Sequence, residues 1–185
     1  LRHMTFTGGE PILALDALEV FSEVAAAAGI NCYVVTSCVW ARSPESARRI
    51  FARLPYVRRW DFGADGYHAA GMPLERVRYA LDAVLDAGGE ATIRACESPN
   101  PDETARVLEA LDRIAGGRAP VIFQSVRAIG RAEDGAPQQL AEVTAGVSRL
   151  PRRPCVSTGL FIRADGTTGP CCAGLAYEAA DLSPF

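Results

Sequence analysis

The sequence of 185 residues contains no lysine, only two histidines and no long apolar run. All nineteen basic residues are arginines, and the formal net charge is -3 with a pI near 5.5. We therefore do not expect the basic patch that nucleic acids or anionic membranes attract. No stretch reaches the length of a membrane span, and the first residues lack the layout of a secretory signal. These absences predict a cytoplasmic protein with no nucleic-acid partner and no membrane partner.

Histidine is too scarce for a zinc hydrolase, because His3 and His68 alone cannot supply the ligands that such a site needs. Cysteine is more abundant, with six residues. In a cytoplasmic chain, metal binding or redox chemistry explains thiols better than disulfides do. The apolar content of 49% is enough for one compact domain with a short appendage.

Short apolar strands alternate with amphipathic helices along the first two thirds of the chain. We expect strands at residues 2–7, 31–37, 57–64, 90–95 and 119–126. Helices are expected after Pro11, Ser43, Pro73 and Asn100, and around residues 140–150. The buried face of the first helix should comprise Leu15, Leu18, Phe21, Ala25 and Ala28. This alternation predicts an α/β fold with a parallel sheet, whose ligand site lies at the carboxyl ends of the strands.

The chain changes character after Pro151, where no helical period remains. A strand-like GLFIR run precedes Asp165-Gly166, which predicts a small β-hairpin. Cys155, Cys171 and Cys172 flank this hairpin, which can bring distant thiolates to one metal centre. An iron–sulfur cluster, a structural zinc ion and three buried thiols all remain open. The predicted domains are therefore a βα domain at 1–150 and a cysteine-containing extension at 151–185.

Three runs at the predicted strand ends resemble motifs of the radical S-adenosylmethionine enzymes. Gly8-Gly9-Glu10-Pro11 follows the first strand, and the family's Gly-Gly-Glu-Pro run receives the methionyl ammonium group of the cofactor. Missing side chains let the backbone approach a ligand there. Thr36-Ser37-Cys38 is similar to the family's Thr-Asn-Gly step, and Gly63-Ala64-Asp65-Gly66 to its Ser-x-Asp-Gly step. The resemblance implies S-adenosylmethionine as cofactor, with candidate binding residues Gly8, Gly9, Glu10, Pro11, Thr36, Ser37, Asp65 and Arg94.

A few other polar residues lie near the predicted ligand site. His68 is the candidate for contacting substrate or moving a proton, with an exposed loop histidine as the alternative. Arg94 and Arg131 are candidates for binding a carboxylate through the guanidinium group, with an ion pair inside the protein as the alternative. Arg131 lies in an IGRA run that also looks like a family motif. His3 and Cys32, both inside strands, are expected to be packed.

The tail adds a second resemblance. The spacing C-x10-G-x4-C, from Cys155 through Gly166 to Cys171, is similar to the opening of the SPASM extension, which holds auxiliary iron–sulfur clusters. It implies a partial, twitch-like site at Cys155, Cys171 and Cys172. The implied fold is a partial TIM-like (βα)6 barrel with a C-terminal β-hairpin extension. The family's C-x3-C-x2-C segment, which binds the 4Fe-4S cluster, is absent, so the first βα unit is expected upstream of Leu1, with loss of the cluster as the alternative.

The resemblance also implies an activity for the longer protein. A 5'-deoxyadenosyl radical made from S-adenosylmethionine would abstract hydrogen from a substrate, for which a peptide is the first guess. A reducing partner such as flavodoxin or ferredoxin would supply the electron. Residues 1–185 alone are expected to be inactive. The alternative is a non-catalytic barrel that binds a peptide or nucleoside and holds a structural metal at the C-terminal cysteines.

Overall fold

The computed structural model describes residues 1–64, 72–98, 100–124, 161–162 and 168–169, and it divides into two units, residues 1–126 and 127–185. The described strands of the first unit are β1 (His3–Phe6), β2 (Asn31–Thr36), β3 (Val57–Gly63), β4 (Glu90–Cys96) and β5 (Val121–Gln124). Its described helices are a short 3-10 helix (Pro11–Ala14), α1 (Leu15–Ala27), α2 (Pro44–Arg53), α3 (Glu75–Asp86) and α4 (Pro101–Ala115). The predicted α/β alternation is confirmed across this part of the chain.

The five strands form one parallel sheet in the order β1-β2-β3-β4-β5. The register places Phe6 beside Val34, and Val34 beside Trp60. Because the spatial order follows the chain without reversal, right-handed crossovers return every helix to the same face of the sheet. The described sheet therefore has no topological switch point of the doubly wound type, and its carboxyl edge is one continuous rim.

The core lies between the sheet and its helices. Alternate strand residues such as Val34, Trp60, Phe62 and Ile93 are fully buried there. The ring of Phe51 from α2 meets Trp60 edge-on, with centroids 4.5 Å apart. Each of these side chains contributes about 1.5–3 kcal/mol by leaving water. The alternate residues on the opposite face remain partly or fully exposed in the described part of the sheet, with Thr92 as a buried exception.

The predicted helix starts are confirmed where capping residues define them. Ser43 Oγ accepts from the backbone N–H of Ser46 at 3.2 Å, and Ser46 Oγ accepts from the N–H of Ser43 at 2.9 Å. Pro44 occupies the first turn of α2, where a missing N–H costs nothing. The side chain of Asn100 caps α4 in a similar way.

The first helix differs from the prediction. Its buried residues are Leu18, Ser22 and Ala25, whereas Phe21 is 57% exposed and Ala28 is also exposed. The expected apolar stripe was too wide because α1 lies at the β1 end of the described sheet, where it contacts β2 and the 3-10 helix. Nothing in the described residues covers this side of the helix.

The second unit is described only at two short strands. β6 (Phe161–Ile162) pairs antiparallel with β7 (Thr168–Gly169), as the arms of a hairpin do. The predicted turn at Asp165-Gly166 and the predicted helix at 140–150 lie outside the described residues. Among the described helices, none combines the length and apolar character needed to cross a bilayer.

Candidate functional site

The turn after β1 has an unusual backbone at two successive positions. Gly8 has φ +85° and Gly9 has φ +54°, both in the left-handed region that favours glycine. A Cβ atom placed on either residue would meet no heavy atom within 4 Å. Both residues are exposed at the carboxyl edge of the sheet. The backbone of this turn is therefore open to a ligand.

Glu10 joins this turn to the end of the neighbouring strand. Its Oε1 accepts from Thr36 Oγ1 at 2.6 Å and from the N–H of Ile12 at 3.2 Å. Its Oε2 accepts from Ser37 Oγ at 2.6 Å and from the N–H of Ser37 at 2.9 Å. Because a carboxylate offers about four lone-pair sites, these bonds use its whole capacity. The side chain of Glu10 thus fixes the shape of the rim, and an ammonium group would have to displace one of these donors to contact it directly.

The turn after β2 completes the same cluster. Thr36 Oγ1 accepts from Trp40 Nε1 at 2.7 Å and from the N–H of Cys38 at 3.4 Å. Cys38 has φ +63°, a left-handed conformation that is uncommon for a residue other than glycine. It stands at the place where the family's Thr-Asn-Gly step has glycine. Burial, with a smaller effect of the Glu10 charge, raises the pKa of the Cys38 thiol well above its usual range.

Five of the predicted cofactor-binding residues are therefore brought together by two adjacent turns. They are Gly8, Gly9, Glu10, Thr36 and Ser37. Pro11 is buried at the start of the 3-10 helix, where its fixed φ suits the first helical position. Sequence reasoning missed Trp40, whose indole N–H anchors Thr36, because no spacing rule links a tryptophan to a threonine hydroxyl four residues earlier.

Arg94 lies apart from this cluster. It projects from β4 on the face opposite the described helices, which we call the uncovered face because no described helix lies on it, and its Nε donates to Asp61 Oδ2 at 2.8 Å. No described contact joins it to Glu10, Thr36 or Ser37. The predicted alternative, that Arg94 is ion-paired, is confirmed.

His3 is on this uncovered face as well. Its ring stacks on Tyr33 with centroids 5.3 Å apart, and its Nδ1 is 3.0 Å from the Tyr33 hydroxyl. The expectation that His3 is packed is wrong, because the residue is exposed. Cys32 is fully buried, as expected.

The remaining candidates cannot be placed at this rim. Asp65, His68, Arg131, Cys155, Cys171 and Cys172 lie outside the described residues. Within the described ranges, no three histidine, cysteine, aspartate or glutamate residues form a group that could hold a metal ion. The geometry of a metal site at the C-terminal cysteines thus stays a prediction.

A concavity lies at the opposite end of the sheet. It measures about 390 Å³ and is lined by residues at the ends of α2 and α3 and the start of β3, among them Arg48, Phe51, Arg58, Trp60 and Asp86. None of the predicted site residues lines it. Because parallel α/β folds bind ligands at the carboxyl ends of their strands, the rim around Gly8 and Gly9 is the stronger candidate.

Comparison with known proteins assigns no family to this chain. No protein-family model matches the sequence, and no curated protein matches it. The functional interpretation therefore depends on the rim geometry and on the motifs that form it.

Proposed function

We propose that this chain binds S-adenosylmethionine at the rim formed by the turns after β1 and β2, as part of a radical S-adenosylmethionine enzyme. The observation that carries the proposal is the left-handed Gly8-Gly9 pair with open space in front of both residues. Backbone groups can reach a ligand closely only where no side chain intervenes. Among the described residues one other left-handed glycine pair occurs, Gly116-Gly117, which ends α4 at the opposite end of the sheet. The position of Gly8-Gly9 at the carboxyl edge, together with their open backbone, therefore supports the proposal.

The turn after β2 supports the same proposal. Glu10 ties it to the glycine pair, so both turns form one rigid rim. Cys38, at the position of the glycine in the family's Thr-Asn-Gly step, has a left-handed backbone, which glycine adopts without strain. The backbone at this position would thus suit the motif's glycine, while Thr36 alone matches the motif by residue type.

The residues of the rim fit the methionyl end of the cofactor. The backbone of Gly8 and Gly9 would contact the ammonium group, and the fixed negative charge of Glu10 beneath them would favour a cation there. Thr36 and Ser37 would hold that charge in place. Bound S-adenosylmethionine would supply the 5'-deoxyadenosyl group for hydrogen abstraction, so the protein's task is to bind and orient it.

The residues of this chain do not fit the 4Fe-4S cluster that the family uses to reduce the cofactor. The sequence has no C-x3-C-x2-C segment, and the described residues contain no group of three metal ligands. The proposed activity of residues 1–185 is therefore binding of the cofactor, and reductive cleavage would need ligands from outside this chain.

The sheet order favours a barrel for the longer protein. Five parallel strands in sequential order, with their helices on one face, are the arrangement from which a closed or partial TIM-like barrel is built. A substrate would then lie against the uncovered face, below the rim.

Calorimetric titration of purified residues 1–185 tests the proposal. We expect S-adenosylmethionine to bind at one site, and 5'-methylthioadenosine, which lacks the methionyl amine, to bind at least about tenfold more weakly, a difference of about 1.4 kcal/mol. Equal binding of both compounds would instead favour a nucleoside-binding module. Absence of binding to either would contradict the proposal.

A second assay tests the limit set by the missing cluster ligands. After anaerobic incubation with iron, sulfide and a reductant, residues 1–185 should yield no 5'-deoxyadenosine from S-adenosylmethionine. Detection of that product by chromatography would show that the chain supplies a cluster site of its own.

A further inference from the structure

The uncovered face of the sheet carries a series of polar contacts that crosses four strands. His3 on β1 meets Tyr33 on β2, and the guanidinium of Arg59 on β3 lies 5.9 Å from the Tyr33 ring centroid. Arg59 Nε is 3.9 Å from Asp61 Oδ1, and Asp61 Oδ2 accepts from Arg94 Nε on β4. Together these five residues form what we call the polar track.

The polar track contains two positively charged side chains and one carboxylate. One carboxylate, Asp61, serves two guanidinium groups, and its Oδ1 is buried without a hydrogen bond among the described residues. Glu90 is beside Arg59 in the register, at the amino end of β4, but forms no ion pair with it in the described contacts. Two guanidinium groups therefore share one carboxylate, and the polar track as a whole carries one positive charge that the described contacts do not neutralise.

Arg94 keeps most of its donors available. Only its Nε takes part in a described hydrogen bond, and its side chain is 31% exposed. Gly63 is its partner in the register on β3 and contributes no side chain. The two terminal nitrogens of a guanidinium match the two oxygens of a carboxylate. Asp61 accepts a hydrogen bond from the third nitrogen of Arg94, Nε, and thereby orients the two terminal nitrogens.

The carboxylate is not expected to come from the cofactor. The ammonium and carboxylate groups of S-adenosylmethionine are bonded to the same carbon atom, and the proposed ammonium site is at the turn after β1. Arg94 is on β4, three strand spacings away, or about 14 Å at about 4.8 Å each. This separation favours a carboxylate that belongs to a separate molecule.

We propose that the polar track binds a carboxylate of the substrate, with Arg94 as the contacting residue and Asp61 and Arg59 as positioning residues. The proposal rests on the proposed function only in that it calls the ligand a substrate. The site itself is a carboxylate-binding site on the uncovered face, next to the rim but distinct from it.

The test follows the Arg94 Nε–H resonance by NMR while N-acetyl-L-glutamate is added, with N-acetyl-L-glutamine as the uncharged matched probe. We expect a saturable shift with N-acetyl-L-glutamate and at least about tenfold weaker binding of N-acetyl-L-glutamine. In Arg94→Gln, binding of N-acetyl-L-glutamate, followed by the remaining backbone amides of β4, should be lost, and affinity for S-adenosylmethionine should be unchanged. Arg78→Gln, which removes an exposed arginine paired with Glu75 on α3, should change neither.

Because Arg94→Gln leaves the Asp61 carboxylate without its main partner, a second variant guards against misfolding. Asp61→Asn/Arg94→Gln removes both charges and should stay folded without binding N-acetyl-L-glutamate. Equal binding of the two probes, or unchanged carboxylate binding in the double variant, would overturn the proposal. A loss of S-adenosylmethionine affinity in Arg94→Gln would also overturn it, since Arg94 would then belong to the cofactor site. Binding of N-acetyl-L-glutamate to a chain that does not bind S-adenosylmethionine would support this site while contradicting the proposed function.

Discussion

Replacing Gly9 with alanine adds a single methyl group at the centre of the proposed site. The backbone there has φ +54°, and the new Cβ would have no protein atom within 4 Å. Steric clash therefore contributes nothing, and the cost is that of a left-handed non-glycine residue, about 1–2 kcal/mol. For a unit of this size we expect the melting temperature to fall by about 3–6 °C.

Gly29→Ala is a matched control for this change. Gly29 has φ +71° and equally open surroundings, but it lies between α1 and β2, at the amino end of the sheet. The loss of stability should therefore be similar in both variants. Only the methyl group at Gly9 enters the space proposed for the cofactor, so affinity for S-adenosylmethionine should fall at least about tenfold, or 1.4 kcal/mol, in Gly9→Ala alone.

Isothermal titration calorimetry well below the melting temperature of both variants measures this difference. Differential scanning calorimetry of the same samples gives the two stabilities. The reasoning is refuted if Gly9→Ala binds S-adenosylmethionine as the unmodified chain does. It is also refuted if Gly29→Ala loses the same affinity, because the effect would then reflect stability and not the site.

Three further changes test individual contacts. Glu10→Gln replaces an acceptor with an amide N–H that opposes the N–H of Ser37, so chemical denaturation should show that the free energy of unfolding falls by about 2 kcal/mol. The control Asp16→Asn, at an exposed ion pair, should lower the free energy of unfolding by less than about 1 kcal/mol. Equal losses in the two variants would contradict the anchoring role of Glu10. Ser43→Ala removes the cap of α2 and should lower the free energy of unfolding by about 1 kcal/mol, whereas an unchanged melting curve would show that the cap is dispensable. Burial and the Glu10 charge raise the pKa of Cys38, so its thiol should resist iodoacetamide at pH 8 until the protein unfolds. Peptide mass mapping of the labelled protein measures this resistance. Rapid labelling of Cys38 in the folded chain would contradict its burial.

The strands and helix starts were predictable because each depends on a short local pattern. In β2, apolar alternation alone places Cys32, Val34 and Thr36 on one face, and all three are buried. Ser43 before Pro44 defines the start of α2 through capping chemistry that involves only neighbouring residues.

Burial on α1 was not predictable in the same way. Helical spacing marks Phe21 as a core residue, but whether a side chain is covered depends on which elements lie beside the helix. The sequence pattern carries no information about whether a neighbouring element is present. The same reason explains why His3, on an edge strand, is exposed.

The sequence predicted which residues come together at the candidate site but not the hydrogen bonds and backbone conformations that they adopt there. Parallel strands bring the residues after β1 and β2 to one edge, which is why Gly8, Gly9 and Ser37 meet. Full use of the Glu10 carboxylate by protein donors depends on side-chain distances that spacing does not define. Cysteine has no special preference for the left-handed conformation, so the backbone of Cys38 had no sequence signal.

Mapping the amide shifts of isotopically labelled protein during titration with S-adenosylmethionine tests the central claim most directly. The largest changes should fall on the backbone amides of Gly8, Gly9 and Ser37 and on the indole N–H of Trp40, which reports on Thr36. No saturable change at any of these signals, or changes concentrated at the opposite end of the sheet around Phe51, would contradict the account.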